Sequence, residues 1–113
     1  MLRNKQSLMD ISTAIQKILR YAQGVERYQF QEEDEKQAAI LYQLIIIGEA
    51  TKRLSNEFRE QYPTIPWRQM AGLRDVVIHD YDELDLDILW NVICINLPDI
   101  LPEIKVILEN LNS

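Results

Sequence analysis

The side chains best suited to chemistry stand in one decapeptide, Gly72-Leu73-Arg74-Asp75-Val76-Val77-Ile78-His79-Asp80-Tyr81. His79 is the only histidine, and an imidazole titrates near physiological pH, so it can take or give a proton there. Arg74 carries a planar guanidinium, which grips a phosphate with paired N–H donors and stabilises charge growing on the phosphorus oxygens. This pair suits cleavage of a phosphodiester without a metal. RNA brings its own nucleophile in the 2′-hydroxyl, so the protein need supply neither nucleophile nor Lewis acid. Asp75 precedes His79 by four residues, on the same side of a helix and within ion-pairing reach. From there it is expected to orient the imidazole and favour its protonated form.

Helical geometry restricts this set. On a straight helix Arg74 and Tyr81 fall within about 20° of each other, whereas His79 lies roughly 140° from Arg74. The three groups therefore cannot converge on a continuous helix within one chain. Either the helix ends near His79 and lets Tyr81 fold back, or a second protomer completes the site; the two are compatible.

Other chemistries fall away on residue type. One cysteine, Cys94, and one histidine cannot build a zinc site of the usual Cys/His spacing, so no metal site is expected. The paired Glu-x-x-His motifs of a di-iron bundle, a Gly-rich phosphate loop and a Gly-x-Ser-x-Gly elbow are all missing from the sequence. The lone cysteine allows no internal disulfide and points to a reducing, cytoplasmic setting. The basic start Met1–Gln6 runs into Asp10 and Thr13 rather than an apolar stretch, unlike a signal peptide. The most apolar window, Ala38 to Ile47, is about half the length that crosses a bilayer.

The net charge of −6 is unevenly spread: residues 1–50 carry −1, residues 51–79 carry +2 and residues 80–113 carry −7. A basic surface tracking nucleic acid across the whole molecule is excluded, because such binding rests on many Lys and Arg contacts. A small phosphate site in the middle third is permitted.

The elements that must position these groups read as helices almost throughout. With 113 residues, 47% apolar and only three glycines and four prolines, the chain is expected to form one all-α domain over residues 1–113. Leu8, Ile11, Ile15, Ile18 and Ala22 recur at threes and fours, marking a first helix that ends near Gly24. Val25 to Phe30 is a connector with room for one turn. A second helix begins in the acidic run Glu32–Glu35, where negative charge favours an N-terminus. Its stripe of Ile40, Leu44, Ile47, Thr51, Leu54 and Phe58 implies nearly seven turns. Gln61–Pro66 breaks the chain, with Thr64 placed to cap a third helix that starts near Pro66 and carries Trp67, Met70, Leu73 and Val77. Asp80–Asp85, with four acids, reads as a solvated turn. A fourth helix follows through Leu86, Leu89, Trp90, Ile93 and Leu97, with Pro98 and Pro102 expected to kink or restart it. Ile104, Leu108 and Leu111 continue its stripe. The architecture expected is an antiparallel bundle of four to five helices.

Beyond these readings, the Arg-x4-His-x-Tyr pattern of Arg74, His79 and Tyr81 resembles the signature of HEPN-domain ribonucleases, specifically the short HepT-like toxins. Ile46-Ile47-Gly48-Glu49-Ala50-Thr51-Lys52-Arg53-Leu54 is similar to that family's long second helix. Tyr62-Pro63-Thr64-Ile65-Pro66-Trp67 is similar to its lead into the motif-bearing helix. The resemblance covers essentially the whole chain and implies an HEPN-like bundle. It further implies a metal-independent RNA endonuclease without cofactor, acting as the toxin of a toxin–antitoxin module and active as a homodimer whose two motifs face a shared cleft. Under it, Arg74 and His79 are the catalytic pair, Asp75 is the polar residue after the arginine, and Glu49 is a supporting acid. Tyr81 matches the tyrosine that a cognate nucleotidyltransferase antitoxin modifies with AMP, which adds bulk and negative charge beside the phosphate site. The competing reading is a catalytically silent helical partner of a nucleotidyltransferase, which the acidic last third favours.

Overall fold

The computed structural model describes residues 2–112, and among these there are helices and turns but no strand. Helix α1 (Leu2–Ala22) buries Leu8, Ile11, Ile15 and Ile18 completely. It ends before Gly24, whose φ of +73° lies in the left-handed region that a Cβ would penalise. The connector does fold into a turn of its own, α2 (Arg27–Glu32). The Glu26 N–H donates to Oε1 of Gln29 at 2.8 Å at its start. The helix exists to deliver Phe30, fully buried and stacked on Trp90 with ring centroids 5.2 Å apart.

Helix α3 (Asp34–Lys52) opens with Asp34 and Glu35 in its first turn, as the acidic run predicts. It does not continue to Phe58. The chain turns at Arg53 and Leu54, and α4 (Asn56–Gln61) starts afresh with Ser55 as its cap, the hydroxyl accepting the Phe58 N–H at 3.1 Å. Two polar contacts hold this break. Asn4 Oδ1 accepts the Ser55 N–H at 3.0 Å, and Arg59 Nη2 donates at 2.7 Å to the Thr51 carbonyl, which also accepts the Leu54 N–H at 3.1 Å. Leu54 and Phe58 are still buried on either side of the turn, so the apolar stripe passes through a helix break unaltered.

Helix α5 (Trp67–His79) begins with Pro66 in the cap position and no side-chain cap bond. Thr64 does not cap it; its hydroxyl donates instead to Glu103 Oε1 at 3.1 Å, tying the loop to the C-terminal helix. A single 3-10 turn, Tyr81–Glu83, follows, and Asp85 caps α6 (Leu86–Asn91) by accepting the N–H groups of Asp87 and Ile88. Helix α6 passes through a π-turn, Val92–Asn96, into α7 (Leu97–Leu111) without restarting. The Leu97 N–H reaches back five residues to the Val92 carbonyl. That widening comes just ahead of Pro98, which lies in the first turn of α7, where its missing N–H and bulky ring are accommodated. The expected proline disturbance is thus absorbed one turn upstream, and Pro102 stays inside the helix.

The long rods α1, α3, α5 and α6–α7, with two short helices between them, make the all-α, HEPN-like bundle. Ile15, Ile18, Ile40, Leu44, Ile47, Ile93, Leu97 and Ile104 form its driest layer. No helix among the described residues is long and apolar enough to cross a membrane.

Because α2 is held chiefly by one stacked ring, Phe30→Ala should lower the unfolding free energy by about 3–5 kcal/mol. Urea titration followed by circular dichroism measures it.

Candidate active site

The site grows from the contact between α3 and α5, which run antiparallel. Their closest approach is at Gly48, where a Cβ would sit 2.5 Å from Cβ of Arg74 and 2.6 Å from its backbone nitrogen. No side chain fits there, so the Arg74 backbone is pressed against α3 and its side chain lies along the next turn. Nε of Arg74 donates to Oε1 of Glu49 at 2.9 Å, and Nη1 donates to Oδ1 of Asp75 at 3.1 Å. Lys52, one turn beyond Glu49, donates to both oxygens of Asp75 at 2.8 and 2.9 Å. Two cations and two carboxylates therefore form a closed, locally neutral network on a half-exposed surface. Arg74 keeps its Nη2 donors without a protein partner among the described residues.

The network acts on the protonation equilibria of its members. Hydrogen bonds from Lys52 and then Arg74 hold the Asp75 carboxyl below the usual carboxylate range, against a smaller opposing effect of burial. The same bond to Asp75, with help from Glu49, raises the pKa of Arg74 further. Asp75 is thus anionic, and Arg74 cationic, across the physiological range.

His79 is the last residue of α5 and is exposed; Tyr81 opens the 3-10 turn and is 59% exposed. The turn is pinned by the Asp80 N–H donating to the Val76 carbonyl at 3.0 Å and the Glu83 N–H to the Asp80 carbonyl at 2.8 Å. His79 and Tyr81 share an open hollow of about 270 Å³ formed by residues 78–83. On its α3 side Tyr81 also closes an apolar cleft of about 350 Å³ with Tyr42, Ile45 and Ile78.

These contacts separate the sequence candidates. Arg74, Asp75 and Glu49 are brought together; His79 and Tyr81 are brought together; the two groups are not joined within one chain. Helix α5 is regular through His79, so the Arg74 and His79 side chains leave it about 140° apart with roughly 7.5 Å of axial rise between them. Asp75 gives its carboxylate to Lys52 and Arg74, and His79 has no hydrogen-bond or ion-pair partner among the described residues. The expected Asp75–His79 pairing is therefore absent, because two cations outcompete one imidazole for the same carboxylate. Lys52 and Gly48 escaped notice as individual site residues. The signals were present: Lys52 lies three residues after Glu49 on one helix face, and a glycine inside an apolar helix marks a close backbone approach.

A family model described as Ribonuclease HepT-like matches residues 11–107, from the second half-turn of the α1 core stripe through most of α7. The chain belongs to the HepT-like ribonuclease family. Among its HepT-like relatives is "Probable ribonuclease HepT" of Thermococcus cleftensis, 36% identical over 97 residues that cover 86% of this chain and 88% of the relative. "Putative RNase MJ1380" of Methanocaldococcus jannaschii is 31% identical over 103 residues, 91% of this chain and 94% of its own length. "Putative RNase TTE0752" of Caldanaerobacter subterraneus reaches 41% over a shorter span, 63% of each chain. No solved structure matches.

Since the folded-state pKa of Asp75 is lowered, its pairing stabilises the protein above the ordinary aspartate range and that contribution is lost as pH falls through the lowered value. Denaturant titrations at pH 7 and across pH 4 to 2 should show wild type exceeding Asp75→Asn at neutrality, with the difference shrinking in acid. An unchanged difference would place the stabilising pairs elsewhere.

Proposed function

We propose that this protein is a metal-independent RNA endonuclease, the toxin of a toxin–antitoxin module, in which Arg74 binds the scissile phosphate and His79 moves the proton. The observation that carries this reading is the posture of Arg74, fixed at Nε and Nη1 by two carboxylates while its Nη2 donors have no partner among the described residues. A guanidinium so held presents a fork to a phosphate without first being ordered, and its donors are aimed before charge develops. The 2′-oxygen of the RNA attacks phosphorus, its proton passes to a neutral His79, and the 5′-oxygen leaves with a proton from an imidazolium. The products are a 2′,3′-cyclic phosphate and a free 5′-hydroxyl.

Divergence of Arg74 and His79 on a regular helix supports a homodimer, in which Arg74 of one protomer meets His79 of its partner. The exposed apolar surface beside the site, with Tyr42 61% and Ile78 44% exposed, supports a contact between copies on this face. Exposure of Tyr81 supports its role as the acceptor for a nucleotidyltransferase antitoxin. The phenol gives up its proton to solvent as its oxygen attacks the α-phosphorus of ATP, pyrophosphate leaves, and the AMP left on Tyr81 adds bulk and negative charge beside His79. The −7 charge of residues 80–113 favours the alternative, a silent partner of such a transferase.

Single-stranded RNA incubated with wild type in EDTA should be cut, and Arg74→Ala and His79→Ala should each reduce the rate by about 10² or more. Cleavage that survives both substitutions removes the site assignment; an inert, unmodified wild type supports the silent partner. Co-expression with a nucleotidyltransferase from a neighbouring gene should raise the intact mass by whole adenylyl groups. Tyr81→Phe should abolish that increase.

A further inference from the structure

We propose that Lys52 is a positioning residue for Arg74, acting through Asp75 rather than touching RNA. The inference rests on the ribonuclease reading for its catalytic consequence, but the positioning itself is a property of the resting protein.

The argument begins with what each donor does. Asp75 faces Lys52 and Glu49 across the helix contact, Arg74 beside it on α5, and His79 one turn onward. Of these, Lys52 engages both carboxylate oxygens, at 2.8 and 2.9 Å, whereas Arg74 takes Oδ1 alone at 3.1 Å. A carboxylate held at both oxygens has lost its freedom to rotate, so Oδ1 is offered to Arg74 in one direction. Glu49 fixes the other edge of the guanidinium through Nε. Remove Lys52 and Asp75 is free to swing. It can follow Nη1, or chelate Nη1 and Nη2 together, as a carboxylate and a guanidinium prefer when nothing else constrains them. The second arrangement covers the donors that the phosphate needs. Lys52 thereby also keeps Asp75 from acting as an internal competitor for Arg74.

The ammonium has little spare capacity for a direct role. Two of its three N–H donors are committed to one carboxylate at 2.8 and 2.9 Å, so Lys52 can offer an arriving phosphate a single N–H without giving up Asp75. Isolated exposed ion pairs contribute little to stability, and these side chains are each between a third and a half exposed. Beyond the modest stabilisation from the Asp75 pairing, geometry at Arg74 is what the network supplies.

The test is a double-mutant cycle. Lys52→Met should lower kcat/KM for RNA about tenfold, within the coupling expected of residues in one hydrogen-bonded network. On the Asp75→Asn background the same substitution should change it less than twofold. Lys52→Arg, which can still hold both oxygens, should recover most of the loss. Equal losses on both backgrounds, or no loss on either, overturn the proposal.

A second readout needs no turnover. In NMR titrations the Asp75 carboxyl carbon should titrate below the ordinary range in wild type and closer to it in Lys52→Met, and the Arg74 Nε–H resonance should shift with it. Resonances unmoved by Lys52→Met overturn the proposal even if cleavage falls. A wild type that cuts no RNA counts against the ribonuclease reading alone, because the NMR shifts are then still to be seen or not.

Discussion

The Arg74 network depends on the missing side chain at Gly48. Only a hydrogen fits where α3 meets the backbone of Arg74, and that contact sets the separation and register of the two helices. With the register fixed, Glu49 lands beside Nε of Arg74 and Lys52 lands over Asp75. A Cβ at this position would force the two backbones apart and disturb the register on which these ion pairs rest. The glycine weakens the helix locally, and the burial of Ile47, Ala50 and Thr51 around it keeps α3 intact through that position.

The helices, their buried faces and the turns at Gly24 and Asp80–Asp85 were legible because apolar spacing and turn residues report on the chain's own neighbourhood. What escaped was set by partners distant in sequence. The stripe through Thr51, Leu54 and Phe58 keeps helical spacing across a real helix break, since both flanking helices bury the same face. The break is held in part by Asn4, 51 residues away from Ser55. Thr64 has the right type to cap α5, but Glu103 lies within its reach, 39 residues on. The π-turn is invisible to a periodicity argument, which sees only the prolines it accommodates.

Asp75 is the instructive case within the site. Spacing along α5 correctly brought it near His79, and charge correctly made it an acceptor. The pairing went instead to Lys52, 23 residues earlier. Intrahelical spacing identifies which groups could meet, whereas the competition between acceptors and donors is decided by the neighbouring helix. The candidate residues are consequently split between a hydrogen-bonded Arg74 network on the α3–α5 contact and an imidazole at the end of α5 that has no partner among the described residues.

The balance of charge in the Glu49–Lys52–Arg74–Asp75 network has a consequence for encounter. A neutral cluster on a chain of net charge −6 projects no positive field into solvent, so a polyanion feels no pull at distances beyond a Debye length of about 8 Å at physiological salt. On the ribonuclease reading, capture then occurs at contact, through donors met one phosphate at a time, with few counterions released on binding. On that reading, a chain of net charge −6 draws in no nucleic acid from afar, and affinity rests on strands that reach Arg74 directly.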